Sequence, residues 1–381
     1  MNKEGRLSSF LLKVGWIAMF AGIPFGSGAV ALPLLLAGKI TKKSVKMEKN
    51  IPFILMNLFI FASLISIINA QRKLFTLGSV ISIFLMMYLI YFEANYIISR
   101  KSFWDLLIKI FILSSIISSI YALYVYFTGL NGRARTLFTG ENGFGTVMIL
   151  SIIWILAYFV HTSGRQKLLV GIGLIITSLA LLFSFSRGAW LGTVGGLLVY
   201  GLCQKRARLK VVILMLTMSV LLFSYPPLFH RLCSIIDLSY PSNHERIYIW
   251  ESTWRMIKDH PVIGMGMGNY LLFYKWYIMP GSKITDASFA HNIFLQIWAE
   301  CGIGALFAFA GIIIFTLLKG VSLVKSPDSS FKTIGLASLA AFVGILIHNQ
   351  VDCTIYSMHI GPIFWLLTGI IFYSEKAVHW R

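Results

Sequence analysis

Negative charge is scarce in this sequence: 14 Asp and Glu stand against 33 Lys and Arg in 381 residues, and charged residues make up only 12%. A soluble domain carries roughly 25%, so water is excluded as the main solvent of the chain. Cysteine is also scarce. The four copies, Cys203, Cys233, Cys301 and Cys353, show no metal-type spacing, and a Cys233 to Cys353 disulfide is the one pairing the topology below would allow. The apolar run after Lys3 and Arg6 lacks a small-residue cleavage pattern and is read as retained rather than as a signal peptide. Internal repeats are missing too, which disfavours a transporter, a class usually built from repeated halves.

What is present in abundance is apolar sequence, 57% of residues, in recurring runs of about 20, the length that a hydrocarbon layer of roughly 30 Å asks of a helix. The expected fold is therefore an all-α polytopic membrane protein. Spans are placed near residues 51–70, 74–98, 103–128, 142–161, 167–184, 188–203, 209–225, 291–318, 332–351 and 357–375. Residues 8–38 add two short crossings around Gly22 to Gly28, for about twelve in all, with ten as the alternative. The formal charge of +19 would suggest nucleic acid in a soluble protein. Here 20 of the 33 basic residues fall in the termini and alternate connections, including Lys39 to Lys49, Lys205 to Lys210 and Lys319 to Lys332, the positive-inside pattern. No nucleic acid is expected. The chain reads as one domain, residues 1–381, in a bacterial cytoplasmic membrane, with membrane lipids around it.

That topology leaves one sizeable segment outside the membrane, residues 226–290, on the extracytoplasmic face. The loop carries many Tyr and Trp side chains, which suit either a membrane interface or sugar stacking. Ile247, Trp250, Trp254 and Ile257 recur at helical spacing, predicting an amphipathic surface helix near residues 244–258. On it Arg255 has Glu251 and Asp259 four residues away on either side, whereas Arg246 has no acid at three or four, so Arg246 is the better ligand-binding candidate.

Arg187, at the mouth between two apolar runs on the side where few cations belong, is either a residue reaching for lipid headgroups or an anion clamp. His291 stands where a polar loop becomes an apolar helix, as an interfacial cap or as a base near neutral pH. Gly264-Met-Gly-Met-Gly268 lacks a preceding strand and reads as a turn for close packing rather than a nucleotide loop. Two further polar clusters, Arg133, Arg135, Glu141 and Asn142, and His348, Asn349 and Asp352, read as structural.

Three blocks together, Ser186-Arg-Gly-Ala-Trp-Leu-Gly192, Arg246 through Asn269, and His291-Asn292 through Gly304, resemble the O-antigen ligase and polymerase superfamily, and the stretch from Gly132 to Asn142 is similar too. The resemblance implies a twelve-span fold like that of C-type glycosyltransferases. It also implies transfer of a glycan from an undecaprenyl-pyrophosphate carrier to an acceptor hydroxyl on lipid A core, or on another repeat unit for a polymerase. It places His291, Arg187 and Arg246 in the catalytic site, with Arg135, Asn292 and Trp250 as further substrate-binding candidates. No cofactor and no metal are expected, because the Gly22 to Gly28 turn holds none of the acids that metal-dependent relatives of this chemistry use. A lipid-linked oligosaccharide transporter is the rival class.

Overall fold

The structure is a computed structural model that describes residues 3–40, 50–325 and 330–374. Most of the basic stretch at residues 39–49 and the C-terminal Lys376 and Arg381 lie outside the described residues. The described residues are helical throughout, without strands. Fifteen α-helices follow in order: α1 (Lys3–Gly22), α2 (Leu32–Ile40), α3 (Ile51–Ile65), α4 (Lys73–Ile98), α5 (Lys101–Phe127), α6 (Glu141–His161), α7 (Gly164–Phe183), α8 (Arg187–Cys203), α9 (Arg208–Ser224), α10 (Pro226–Cys233), α11 (Pro241–Asp259), α12 (Tyr270–Tyr277), α13 (Ile293–Ser322), α14 (Ser330–His348) and α15 (Gly361–Ser374). Each expected span is occupied by a helix. Eight described helices are long and apolar enough to cross a membrane, three apolar ones are shorter, and α8 has 17 residues. The protein is a polytopic helical membrane protein. Its cysteines are free thiols, Cys233 exposed and Cys353 buried, so the disulfide that the topology allows is not formed.

In lipid, helices gain nothing by hiding Leu from Leu, so close packing at small residues decides which pairs meet. Gly188, Gly192 and Gly196 recur every four residues on α8, one face. A Cβ at Gly192 would sit 2.4 Å from the Gly344 carbonyl, and one at Gly196 2.7 Å from that of Ala340. The glycine stripe thus seats α8 directly against α14. This contact matters for function, because it sets Arg187, the first residue of α8, beside the last turn of α14 and the chain that follows it.

The short helices α10 and α12, with the 19-residue α11 between them, form a layer over one end of the bundle. They are pinned by the Pro261 to Asn269 connection, in which Gly264, Gly266 and Gly268 have φ of 78°, 94° and 82°, values that glycine adopts without strain. Its Met265 and Gly266 amides donate to the Ala299 and Glu300 carbonyls. The docking breaks α13: Gly302 has φ 77° and ψ 178°, and the Ile303 amide donates to the Pro261 carbonyl instead of to its own helix. At the other rim the Asn69 side-chain amide donates to the Gly264 carbonyl, and Asn269 accepts from the Arg72 amide and donates to Thr76.

On α11 the buried face is Ile249, Ser252, Thr253, Met256 and Ile257, so of the stripe Ile247, Trp250, Trp254 and Ile257 that periodicity favours only Ile257 is buried. Small and polar groups can face inward here because Thr253 hydrogen-bonds the Tyr270 hydroxyl at 2.6 Å, and Trp254 is left 43% exposed.

Candidate functional site

The site begins at the turn between α7 and α8. Phe185 sits at φ 52° and His291 at φ 50°, the two described non-glycine residues in the left-handed region. Such backbone costs on the order of 1–3 kcal/mol and persists where surrounding contacts enforce it, often at functional sites. At the turn those contacts are arginines: Arg133 Nε donates to the Ser184 carbonyl at 2.7 Å, and Arg231 Nε donates to the Phe185 carbonyl at 3.0 Å.

Arg187 is buried. Its Nη1 donates to the Ser234 carbonyl and hydroxyl, and its Nη2 to Ser242 Oγ and Asn243 Oδ1, at 2.5–3.0 Å. Every one of these acceptors is neutral. The guanidinium thus fixes the chain between α10 and α11 while keeping its charge uncompensated. The Tyr240 ring lies between two cations, 5.1 Å from the Arg187 guanidinium and 5.5 Å from that of Arg231, where its π face offsets part of their repulsion.

Arg246, on the first turns of α11, is half-buried and makes no hydrogen bond or ion pair among the described residues. Its neighbour Glu245 is engaged elsewhere, accepting from Ser282 Oγ and the Lys283 amide. Burial lowers the Arg246 pKa, Asp352 raises it and Arg231 lowers it again. Burial likewise lowers that of Arg133, with Glu141 opposing and Arg231 and Arg246 adding to the fall. Arg187 feels the charges of Arg231, Arg246 and Arg133. Four guanidiniums therefore share one site.

Facing them is His291. Its Nδ1 lies 3.6 Å from Asp352 Oδ1, an electrostatic contact longer than a hydrogen bond. Asp352 is held from two sides, Oδ1 accepting from the Cys353 amide at 2.8 Å and Oδ2 from Asn142 Nδ2 at 2.5 Å. Asn142 Oδ1 in turn accepts from Ser186 Oγ at 2.9 Å. A hydrogen-bonded chain runs from the turn before Arg187 through Asn142 to Asp352, which faces the imidazole. Burial raises the Asp352 pKa, but the His291 contact, the nearby imidazole charges and the Cys353 amide outweigh it, and the carboxyl lies well below the ordinary carboxylate range.

Of the residues singled out from sequence, Arg187, Arg246 and His291 meet here. Trp250 lies one helical turn beyond Arg246, its indole nitrogen buried without an acceptor. Asn292 is a helix cap, accepting from the Phe294 and Leu295 amides at the start of α13. Arg135 points away, half-exposed and 3.9 Å from Glu141, and it is Arg133 that joins the guanidinium group. Arg255 is exposed and makes no ion pair among the described residues, since Asp259 accepts from the Tyr277 hydroxyl. Sequence reasoning missed Arg133, Arg231 and Asp352 as site residues. Arg133 and Asp352 stood in polar clusters that were visible but read as structural, and Arg231 carried no local signal. Among the described residues no group of three or more His, Cys, Asp or Glu is placed to hold a metal ion.

A polytopic helical membrane protein with a dense guanidinium site facing a histidine and its carboxylate is built to handle an anion and a proton together. Residues 172–310, from α7 through the capping layer into α13, match the family model described as O-Antigen ligase, and this segment holds Arg187, Arg246 and His291, which supports a relation to the O-antigen ligase and polymerase superfamily. No curated protein matches the chain. The family indicates a glycosyltransferase-like enzyme with a lipid-linked glycan donor and a glycan acceptor.

Proposed function

We propose that the protein transfers a glycan from undecaprenyl pyrophosphate to an acceptor hydroxyl at the outer face of the cytoplasmic membrane, as an O-antigen ligase, through a bundle that crosses the membrane twelve times. The observation that carries this reading is the meeting of Arg133, Arg187, Arg231 and Arg246, mutually repulsive and short of carboxylates, in front of the His291 and Asp352 pair. Such a site suits a ligand with several negative charges. Guanidiniums bind phosphate oxygens bidentately, and charge-assisted bonds are roughly twice as strong as neutral ones.

In the reaction the acceptor oxygen attacks the anomeric carbon. The bond to the pyrophosphate breaks, and its electron pair departs with the phosphate, stabilised by the guanidiniums as the charge develops. His291 takes the hydroxyl proton, with Asp352 facing its other nitrogen and steadying the imidazolium that forms. General base catalysis of this kind contributes typically 10²- to 10⁴-fold. Direct displacement inverts the anomeric carbon, and with guanidiniums supplying the countercharge no divalent ion is required.

The test is glycan transfer in membranes from the lipid-linked donor, offering lipid A core or a second donor molecule as acceptor. Arg246→Ala, Arg187→Ala and His291→Ala are expected to lower transfer by at least 10²-fold, while Arg255→Ala and added chelator leave it unchanged. Transfer only to a second donor would make the protein a polymerase, and transfer to neither by folded wild-type protein would sink the reading.

A further inference from the structure

The α11 helix carries exposed aromatic surface that the chemistry above does not use. Trp250 and Trp254 follow Arg246 at four-residue steps, so the three side chains lie along one side of the helix. Trp254 meets Trp298 of α13 edge to face, with ring centroids 5.5 Å apart at 83°, and Trp298 is held by donating its indole N–H to the Pro261 carbonyl. Two levels along α11 are therefore distinguished. At the first, Arg246 is within electrostatic range of Asp352, which faces His291 just before α13. At the second, two turns along α11 and about 12 Å away at 1.5 Å per residue, stands the Trp254 and Trp298 pair.

An exposed tryptophan pair on a membrane protein is ordinarily an interfacial anchor. The break in α13 argues otherwise here. Residues 302–322 alone, at about 1.5 Å per residue, reach about 30 Å and fill the hydrocarbon core. The segment of Ile293 to Cys301 is thus surplus to the crossing, and it is clamped to the capping layer through Met265, Gly266 and Pro261. Trp298 sits on that surplus segment. Trp250, half-buried, stands between the two levels.

We propose that the Trp254 and Trp298 pair, with Trp250 beside it, is a saccharide subsite that holds the sugar residues of the glycan chain distal to the reacting end, by stacking on the indole faces. The proposal rests on the glycan-transfer reading of the same site. It explains why the aromatic surface is continuous with the guanidinium group: a chain whose reducing end lies at Arg246 has a neutral, polyhydroxylated remainder that needs flat apolar faces rather than charge.

The test uses full-length protein in nanodiscs of phosphatidylethanolamine and phosphatidylglycerol. Oligosaccharides released by mild acid from the lipid-linked glycans of the producing cells are titrated while tryptophan fluorescence is read. A saturable change is expected, with affinity about ten-fold weaker in Trp254→Ala and in Trp298→Ala. Trp254→Phe is expected to bind close to wild type, which separates lost stacking from misfolding, and Trp276→Ala, on exposed α12, to bind as wild type. No saturable change in wild type, or an unaltered change in both alanine variants, would overturn the subsite. So would stronger quenching of Trp254 than of Trp276 by brominated acyl chains, which would put the ring in the bilayer. Saturation through Trp254 without any glycan transfer would leave the subsite standing and remove the transferase reading. Transfer at unchanged KM in Trp254→Ala and Trp298→Ala would remove the subsite alone.

Discussion

At the residue scale the site is governed by which charges have partners. Arg246 was legible in the sequence because no acid stands at helical distance from it, and it makes no hydrogen bond or ion pair among the described residues. Asp352 was not legible as a site residue, because its significance depends on Asn142 and His291, which lie 210 and 61 positions away and which only the packing of α6, α13 and α14 assembles. Its low pKa has a definite consequence for stability. An unfolded Asp titrates near 3.9, and the folded carboxyl is held lower. The stabilisation is therefore complete above about pH 5 and lost as the pH falls through about 4 and below. Asp352→Asn is expected to lower the thermal unfolding temperature of detergent-solubilised protein at pH 7, with the gap to wild type narrowing below about pH 4. A gap that stays constant with pH would show that the carboxylate charge does not contribute.

At the element scale, length and hydropathy are local properties, and the helices at the expected spans follow from them. Close contacts are not local. Gly302 and Gly304 look alike in sequence, yet Gly302 has φ 77° and a Cβ there would lie 2.0 Å from the Val262 carbonyl oxygen, whereas one at Gly304 would meet its nearest neighbour at 3.8 Å. Gly302→Ala is expected to destabilise the protein by on the order of 1–3 kcal/mol from backbone strain alone, with further loss from the clash. Gly304→Ala is expected to be neutral or stabilising by up to about 1 kcal/mol, as in an ordinary helix interior. Thermal melts of the two variants side by side check this, and equal effects would mean that the break in α13 is not enforced by the docked connection. The α11 helix teaches the complementary lesson. Its existence is written in its spacing, but its orientation is not, because Thr253 becomes a good inward residue only once Tyr270 is beside it.

At the scale of the whole molecule, the charge distribution along the chain suggests an orientation that the native thiols can test. Cys233, exposed at the end of α10, lies in the capping layer, and Cys203 ends α8 beside the Lys205 to Lys210 cluster. In single-cysteine variants a membrane-impermeant maleimide is expected to label Cys233 in intact cells, and Cys203 only after the membrane is opened, with buried Cys301 and Cys353 unlabelled in both. The reverse order would invert the topology and with it the outward-facing reaction. Beneath that layer the four guanidiniums repel one another across neutral acceptors, and among the described residues Tyr240, Glu141 and Asp352 offset part of that repulsion. Whatever binds the folded form alone shifts the balance towards it. On the proposed reading, occupancy and persistence of the fold are then one equilibrium, and an anionic donor would be as much a component of the scaffold as any helix that holds it.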